Sequence, residues 1–241
     1  MKEIKIIILF VWVTANSLAQ NVSNDSLNIL KPIEIIETRS ATFKEGIKTE
    51  KFDSASIHRS INTNLSELLS NESLVFVKSY GPGQLATTSF RGASAFHTAV
   101  LWNGINLQSP LYGQLDFSLI PVNFGDDIQL QYGSAGALWG SGAVGGSILL
   151  NNVPHFNEGL KITSNTSYGS FENRQQQLGL SFGKEKFVSY IKTFYKDALN
   201  NFNYINTSEK GSPIETQSNA ELKQFGLLQS NFLNLNNHQQ L

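Results

Sequence analysis

The stretch from residue 128 to residue 150, IQLQYGSAGALWGSGAVGGSILL, constrains this chain more than any other. Ile128, Leu130 and Tyr132 alternate with Gln129 and Gln131, the period of a half-buried strand. Residues 147–150 form a short apolar run suited to a more buried one. Between them lie Gly133, Gly136, Gly140, Gly142, Gly145 and Gly146. Glycines at that density imply left-handed turns or a close approach of one backbone to another. Ala137, Leu138 and Trp139 fit one helical turn, with Trp139 as its packing anchor. Residues 140–145, GSGAVG, match the G-x-G-x-x-G dinucleotide fingerprint. That fingerprint needs a helix after it and an acidic residue about 20 positions on. Here a β-like run follows and the nearest acid, Glu158, comes too early, so a Rossmann oxidoreductase fails on context. Close packing inside a β-rich domain is the plainer reading.

Composition narrows the class. Charged residues make up 15% of the 241 and the formal net charge is −1, against about 25% charged in ordinary soluble chains. Asn, Gln, Ser, Thr and Gly fill the difference, a mix suited to strands with one apolar and one neutral polar face. A near-neutral balance gives no general pull toward nucleic acid. With 40% hydrophobic and 11% aromatic residues, wholesale disorder is excluded. There are no cysteines, hence neither disulfides nor thiolate metal sites.

The first residues read as a secretory leader. Lys2 and Lys5 precede an apolar run over 6–13, and Ser17 and Ala19 stand three and one before an expected cut after Ala19. The run is too short to span a bilayer, which takes about 20 apolar residues. No later stretch approaches a transmembrane helix, so entry into a membrane would have to be by β-strands.

A polar segment then leads to Pro32, Ile33, Glu34, Ile35, Ile36, Glu37 and Thr38, an isolated β-prone run. Proline near its start confines it to an edge, and an edge is a template for a partner strand. Residues 42–74 suggest turns and short helices. Asp53 caps the first. Asn64 and Glu67 form a capping-box pattern ahead of Leu65, Leu68 and Leu69, which share one face. Strands are expected at 74–78 and 87–91, separated by the Gly-Pro-Gly loop at 81–83. Asn103-Gly104, between 99–102 and 105–107, marks a type I′ hairpin. Residues 108–114 are loop and 117–121 a helical turn. Residues 41–153 thus read as one small α+β domain, large enough for its own core.

Past Pro154 the pattern changes. Strand-length runs at 160–168, 175–182, 187–196 and 222–233 mix polar and aromatic residues, and Leu178, Leu180 and Phe182 alternate with Gln177, Gly179 and Ser181. Outer-membrane strands show segments of about 10 residues with this weak alternation and aromatics near their ends. The connections fit as well: a tight turn at 183–186 and a long one over 198–220.

Three ordered blocks carry a resemblance: residues 89–92 (SFRG), 100–107 (VLWNGINL) and the glycine-rich stretch. Together they resemble the plug domain of TonB-dependent outer-membrane receptors, most in the manner of the vitamin B12 receptor group. The resemblance implies a leader (1–19), an N-terminal segment (20–40), an α+β plug (41–153) and the first antiparallel strands of a transmembrane β-barrel (154–241). Members have a 22-stranded barrel, so about four strands make this a partial, incomplete barrel. It implies uptake of a scarce nutrient such as cobalamin or an iron chelate, with no cofactor and no enzymatic chemistry. Implied partners are a TonB-type energy-transducing protein in the periplasm, outer-membrane lipid and the small-molecule cargo, with no nucleic acid. The transducer would pair with residues 32–38, in the place of the Ton box. Cargo would meet the apical plug loops, through Tyr80, Gly83, Gln84, Leu85, His97, Gln108, Ser109 and Tyr112. Structural roles fall to Arg91, Gly92, Asn103, Gly104, Gly140, Gly142, Gly145 and Gly146, with Arg91 holding a buried or half-buried polar network. Asn103 stands where Asp is usual, and Gln129 and Tyr132 where Glu and Arg are usual. These exchanges remove side chains that commonly carry charged plug-to-barrel contacts. A secreted β-rich adhesion or scaffold protein is the alternative. Eighteen or so further alternating strands encoded downstream would favour the receptor. His58, His97, His155 and His238 are scattered, without metal-ligand spacing, and no nucleophile elbow or phosphate loop occurs.

Overall fold

The computed structural model describes residues 47–236 and 239–240. The leader and the 32–38 run lie outside them. The first described element is a short edge strand, β1 (Lys48–Lys51), followed by helices α1 (Ser54–Arg59) and α2 (Leu65–Glu72). Both helices start where their caps dictate. The Ser56 amide donates to Asp53 Oδ1 at 2.6 Å, and the Glu67 amide donates to Asn64 Oδ1 at 3.0 Å. The capping box is half as expected: Glu67 receives the Asn64 side-chain amide at 3.0 Å instead of reaching the Asn64 backbone. Leu65, Leu68 and Leu69 are at most 1% exposed, each burial contributing about 1.5–3 kcal/mol.

Next come the hairpin β2 (Phe76–Ser79) and β3 (Ala86–Ser89), then β4 (Thr98–Trp102) and β5 (Ile105–Asn106). The β4–β5 turn carries Asn103 at φ 46° and Gly104 at φ 83°, the two left-handed residues of a type I′ turn. β6 (Asp127–Tyr132), a single helical turn α3 (Gly136–Trp139) and β7 (Gly146–Asn151) complete the domain. Its sheet has the order β1-β6-β7-β4-β5, with β4 and β7 parallel and the other pairs antiparallel. The parallel pair was not legible in sequence. It explains why β4 and β7 are nearly continuous apolar runs, since both faces are covered.

The glycine-rich passage fills both of its expected roles. Gly140 sits at φ 87° just after α3. Gly146 faces the Phe90 ring and the Gln131 carbonyl, so closely that a Cβ there would lie 2.7 and 2.8 Å from them. The main core, which includes Phe52, Leu68, Phe90, Val100, Ile148 and Leu150, draws its buried residues from 52–150 alone.

Beyond a linker, β8 (Gly159–Tyr168), β9 (Arg174–Gly183), β10 (Phe187–Ala198) and β13 (Leu222–Asn236) form an antiparallel meander, with the short β14 (Gln239–Gln240) at its edge. Gln175, Gln177, Tyr190 and Phe194 are buried, while Leu178, Leu180, Phe225 and Leu227, on the other face, are exposed. The 199–221 connection holds a small hairpin, β11 (Asn203–Ile205) and β12 (Ile214–Thr216), which its Asn- and Ser-rich composition concealed. Among the described residues no helix is long and apolar enough to cross a membrane.

Candidate functional site

Three loops of the first domain converge through one side chain. Gln108 donates from Nε2 to the carbonyls of Gly113 (3.0 Å) and Phe96 (3.4 Å). Its Oε1 accepts from Asn106 Nδ2 (3.2 Å), and its amide donates to Asn106 Oδ1 (2.9 Å). The 106–114 loop is thereby fixed to residues 95–97, and the Phe96 ring packs over Gly113. Ser109 closes the same loop: its Oγ accepts the Tyr112 amide at 3.2 Å and its carbonyl accepts the Gly113 amide at 2.7 Å. A Cβ at Gly142 would collide with the Gln108 amide, so the glycine-rich passage packs here too.

The 80–85 turn is placed from the other side. Gly83, at φ 71°, lies against Leu222, where a Cβ would come within 2.8 Å of that side chain. Leu222 opens β13 at the end of the strands that bears the long 199–221 connection. Asp116 ties the base of this hairpin to the helical turn at Phe117–Leu119, its Oδ1 accepting the amides of Ala86 and Ser118, each at 3.0 Å.

The eight expected cargo residues therefore divide. Tyr80, Gln84, Leu85, His97 and Tyr112 are exposed on these loops. Gly83 is turned to the strands, and Gln108 and Ser109 are consumed in holding the loops. Arg91 departs from expectation: it is exposed, at φ 49° just past β3, and enters no side-chain hydrogen bond found among the described residues. Gln129 and Tyr132 bond within the domain. Gln129 Nε2 donates to Asp127 Oδ2 (2.7 Å) and Tyr132 Oη to Glu50 Oε2 (2.7 Å). Burial and the Glu50 carboxylate push the Tyr132 hydroxyl well above the ordinary phenol range. In the small hairpin, the Tyr204 hydroxyl is raised chiefly by its hydrogen bond to Glu215.

Sequence reasoning missed the contacts between domain and strands. Asp126 Oδ1 accepts Lys192 Nζ, while its Oδ2 accepts Asn152 Nδ2 and the Val153 amide, both at 3.2 Å. Gln177 Nε2 donates to the Ile61 carbonyl at 2.8 Å. The Phe124 and Phe194 rings meet edge to face at 5.5 Å. Asn152 is the hub behind Asp126. Its Oδ1 accepts Trp102 Nε1 (2.8 Å) and Asn103 Nδ2 (3.2 Å), its Nδ2 donates to the Phe124 carbonyl (2.6 Å), and its amide donates to Asn103 Oδ1 (2.8 Å). The only available signal was an Asp126-Asp127 doublet in a chain poor in charge. About 860 Å³ of open space separates α1 from β8–β10 beside the Asp126–Lys192 contact. Among the described residues no three His, Asp or Glu side chains are grouped to hold a metal ion.

Residues 43–147 match the TonB-dependent receptor plug domain family. The fold agrees. The FrpB iron transporter of Neisseria meningitidis superposes with a TM-score of 0.61 at 16% identity, covering 79% of this chain and 30% of that one. The copper transporter OprC gives 0.60 at 18% identity, covering 78% and 28%. The class is therefore that of the TonB-dependent receptors: a plug domain followed by antiparallel strands of the receptor barrel. Within that class the chain is similar to vitamin B12 transporters. It is 30% identical over 164 residues to the one from Photobacterium profundum, covering 68% of this chain and 23% of that protein. It is 34% identical over 90 residues to the one from Vibrio vulnificus, covering 37% and 14%. The chain thus spans less than a quarter of the length of these relatives.

Proposed function

We propose that this chain forms the plug and first wall strands of an outer-membrane receptor of a Gram-negative bacterium. The receptor takes up a scarce nutrient of the cobalamin or iron-chelate kind. The observation that carries the reading is a plug whose loop face lies at the long-connection end of the strands while Asp126, Phe124 and the Ile61 carbonyl engage their inner face. With the short 184–186 turn periplasmic and the long connection extracellular, strands of 10, 10, 12 and 15 residues are long enough to cross, since a tilted barrel strand needs about 9–11. Tyr80, Gln84, Leu85, His97 and Tyr112 then face the outside and contact cargo. Gly83, Gln108 and Ser109 shape the loops that carry them. Residues 32–38 supply the strand on which a TonB-type transducer pulls. The similarity to vitamin B12 transporters supports the cobalamin side of the reading. No feature of the described residues favours an adhesion or scaffold protein.

Strand addition works through the backbone, and proline removes a donor and fixes φ. In cells carrying the full-length receptor, Ile35→Pro should bind cargo at the surface without internalising it, while Ile35→Ala should do both. Normal uptake by the proline variant at equal surface expression would remove residues 32–38 from the coupling role.

A further inference from the structure

We propose that the lipid-facing side of β10 and β13 is a seam along which two copies of the receptor pair inside the membrane, held by the amides of Gln229 and Asn231. It rests on the reading of these strands as barrel wall and not on any cargo. The side of the meander turned away from the plug carries, on β13, the row Phe225, Leu227, Gln229, Asn231, Leu233 and Leu235. All six are exposed. Phe225 and Leu235 stand ten positions apart. At about 3.3 Å per residue and a tilt of about 45° they span roughly 23 Å, nearly the whole apolar band of about 25 Å. The two amides therefore sit at the middle of the bilayer, with two apolar rows above them and two below.

Hydrocarbon offers an amide neither donor nor acceptor, so a polar side chain at that depth needs a partner. The same face shows how the chain supplies one elsewhere. On β8 and β9, Thr166 Oγ1 donates to Gln176 Oε1, and Gln176 Nε2 donates to Ser164 Oγ at 3.2 Å. That polar group is closed on itself. On β10 and β13 the neighbours are different: Asn231 stands opposite Ser189 and Gln229 opposite Ile191. Among the described residues no side-chain hydrogen bond reaches Ser189, Gln229 or Asn231. The outward side of β10 adds Phe187, Ile191, Thr193 and Tyr195, so the patch holds no charge.

A second copy supplies what lipid cannot. Both copies enter the membrane facing the same way, so the two-fold axis relating them runs along the membrane normal. It sets each residue against the same depth of the other copy. A carboxamide both donates and accepts, so two amides meeting across that axis satisfy each other. Any other protein would have to carry a polar group at this one depth, whereas a copy carries it by symmetry. Leu227 and Leu233 flank the amides and pack around them, which closes the seam to lipid tails. Asn and Gln side chains hold membrane-spanning segments together by such bonds.

The test uses the full-length receptor in vesicles, with copies carrying donor or acceptor dyes and diluted stepwise with lipid. Energy transfer should report a dimer. Replacing both amides, Gln229→Leu with Asn231→Leu, should raise the dissociation constant at least about tenfold, while Asn231→Gln, which keeps an amide, should stay within about threefold. Leucine suits a lipid-facing site, and heat-modifiable migration in a gel checks that the variant is folded. In intact cells, on a cysteine-free receptor, Leu233→Cys should cross-link copy to copy through a short bis-maleimide. Ile162→Cys, on the same side but on β8, should not. A wild type that stays monomeric, or a double-leucine variant that pairs as well as wild type, would overturn the seam. So would equal cross-linking from Ile162→Cys, which is the mark of crowding. A monomeric wild type whose folded band melts earlier in the double-leucine variant would show that the amides bond to the next strand of their own barrel, and would also overturn it. Cross-linking of Leu233→Cys to a different protein alone would overturn the second copy as occupant. None of these results decides uptake, which the Ile35→Pro experiment tests separately.

Discussion

Asn152 is where the plug is most exposed to a single atom-level loss, and Asn152→Ala allows the loss to be worked out. The residue is 7% exposed. Alanine removes its Oδ1, which accepts Trp102 Nε1 and Asn103 Nδ2, and its Nδ2, which donates to the Phe124 carbonyl and Asp126 Oδ2. Asn103 and Asp126 can turn to water. Trp102 Nε1 and the Phe124 carbonyl are left without a partner in a protected site, at about 1–3 kcal/mol each. The sum is about 2–6 kcal/mol, a large share of the stability of a domain this size. Hydrogen exchange in the full-length receptor reads it directly. The slowest amides of β4 and β7 exchange through opening of the whole plug, so their rates should rise about 30-fold to about ten-thousandfold, at tenfold per about 1.4 kcal/mol. Asn152→Asp gives a second reading. It keeps the acceptor for Trp102 but puts a carboxylate 3.2 Å from Asp126 Oδ2. Like charges favour protonation, so its deficit at pH 7 should shrink in mild acid. Less than a threefold change in Asn152→Ala would show that water replaces the side chain and that the hub reasoning is wrong.

Three further outcomes are expected. Gly146→Ala should disrupt the plug, because its Cβ would meet the Phe90 ring and the Gln131 backbone, and backbone cannot yield; loss of folded receptor from the membrane fraction measures it, and wild-type yield with unchanged exchange would contradict it. Residues 41–153, made alone, should unfold cooperatively, since the core residues all lie between 52 and 150; a denaturant titration without a sigmoidal transition would contradict a self-sufficient core. Asp53, whose pKa is lowered chiefly by the Ser56 amide, should contribute stability above the ordinary carboxylate range and lose it as pH falls through the depressed value. The destabilisation by Asp53→Ala seen at neutral pH should therefore vanish in strong acid.

What was legible in the sequence was local. Asn103-Gly104 announced its turn because only left-handed residues fit a type I′ hairpin. Asn64 and Asp53 announced their helices because short polar side chains satisfy first-turn amides. The alternation Leu178, Leu180, Phe182 announced a strand with one apolar face. Long-range choices left no comparable mark. The parallel pairing of β4 with β7 joins residues more than forty positions apart, and an apolar run reads alike in either orientation. Gln108 looked like a loop glutamine facing cargo. Only the placement of the Phe96 and Gly113 carbonyls shows that its amide is already occupied. The resemblance gave Arg91 a buried or half-buried network, but its own left-handed backbone, at φ 49° just past β3, leaves it exposed.

The two consecutive carboxylates at the start of β6 join the edge of the plug to the wall, and this predicts an order of detachment under tension. Asp127 faces β1: the Lys51 ammonium lies 2.9 Å from its Oδ1, off the hydrogen-bond direction, with the lysine largely exposed. Asp126 faces the wall through Lys192, with both side chains mostly covered. β1 itself is four residues long and, among the described residues, pairs with β6 alone; the Glu50–Tyr132 hydrogen bond and Lys48 over the Tyr132 ring add to that pairing. Exposed ion pairs contribute about 0–1 kcal/mol, while breaking a covered one costs several times more. Tension entering from residues before β1 should therefore strip the polar edge first and stop at Phe52, the first residue buried in the core. The Asp126–Lys192 contact should survive that step. Single-molecule pulling on the N-terminus of the membrane-embedded receptor should show a low-force event of four to five residues before any larger extension. Lys51→Ala should lower only that first event. Lys192→Met should leave it unchanged and lower a later one. Loss of the first event in Lys192→Met would mean that edge and wall let go together, and that Asp126 and Asp127 act as one joint.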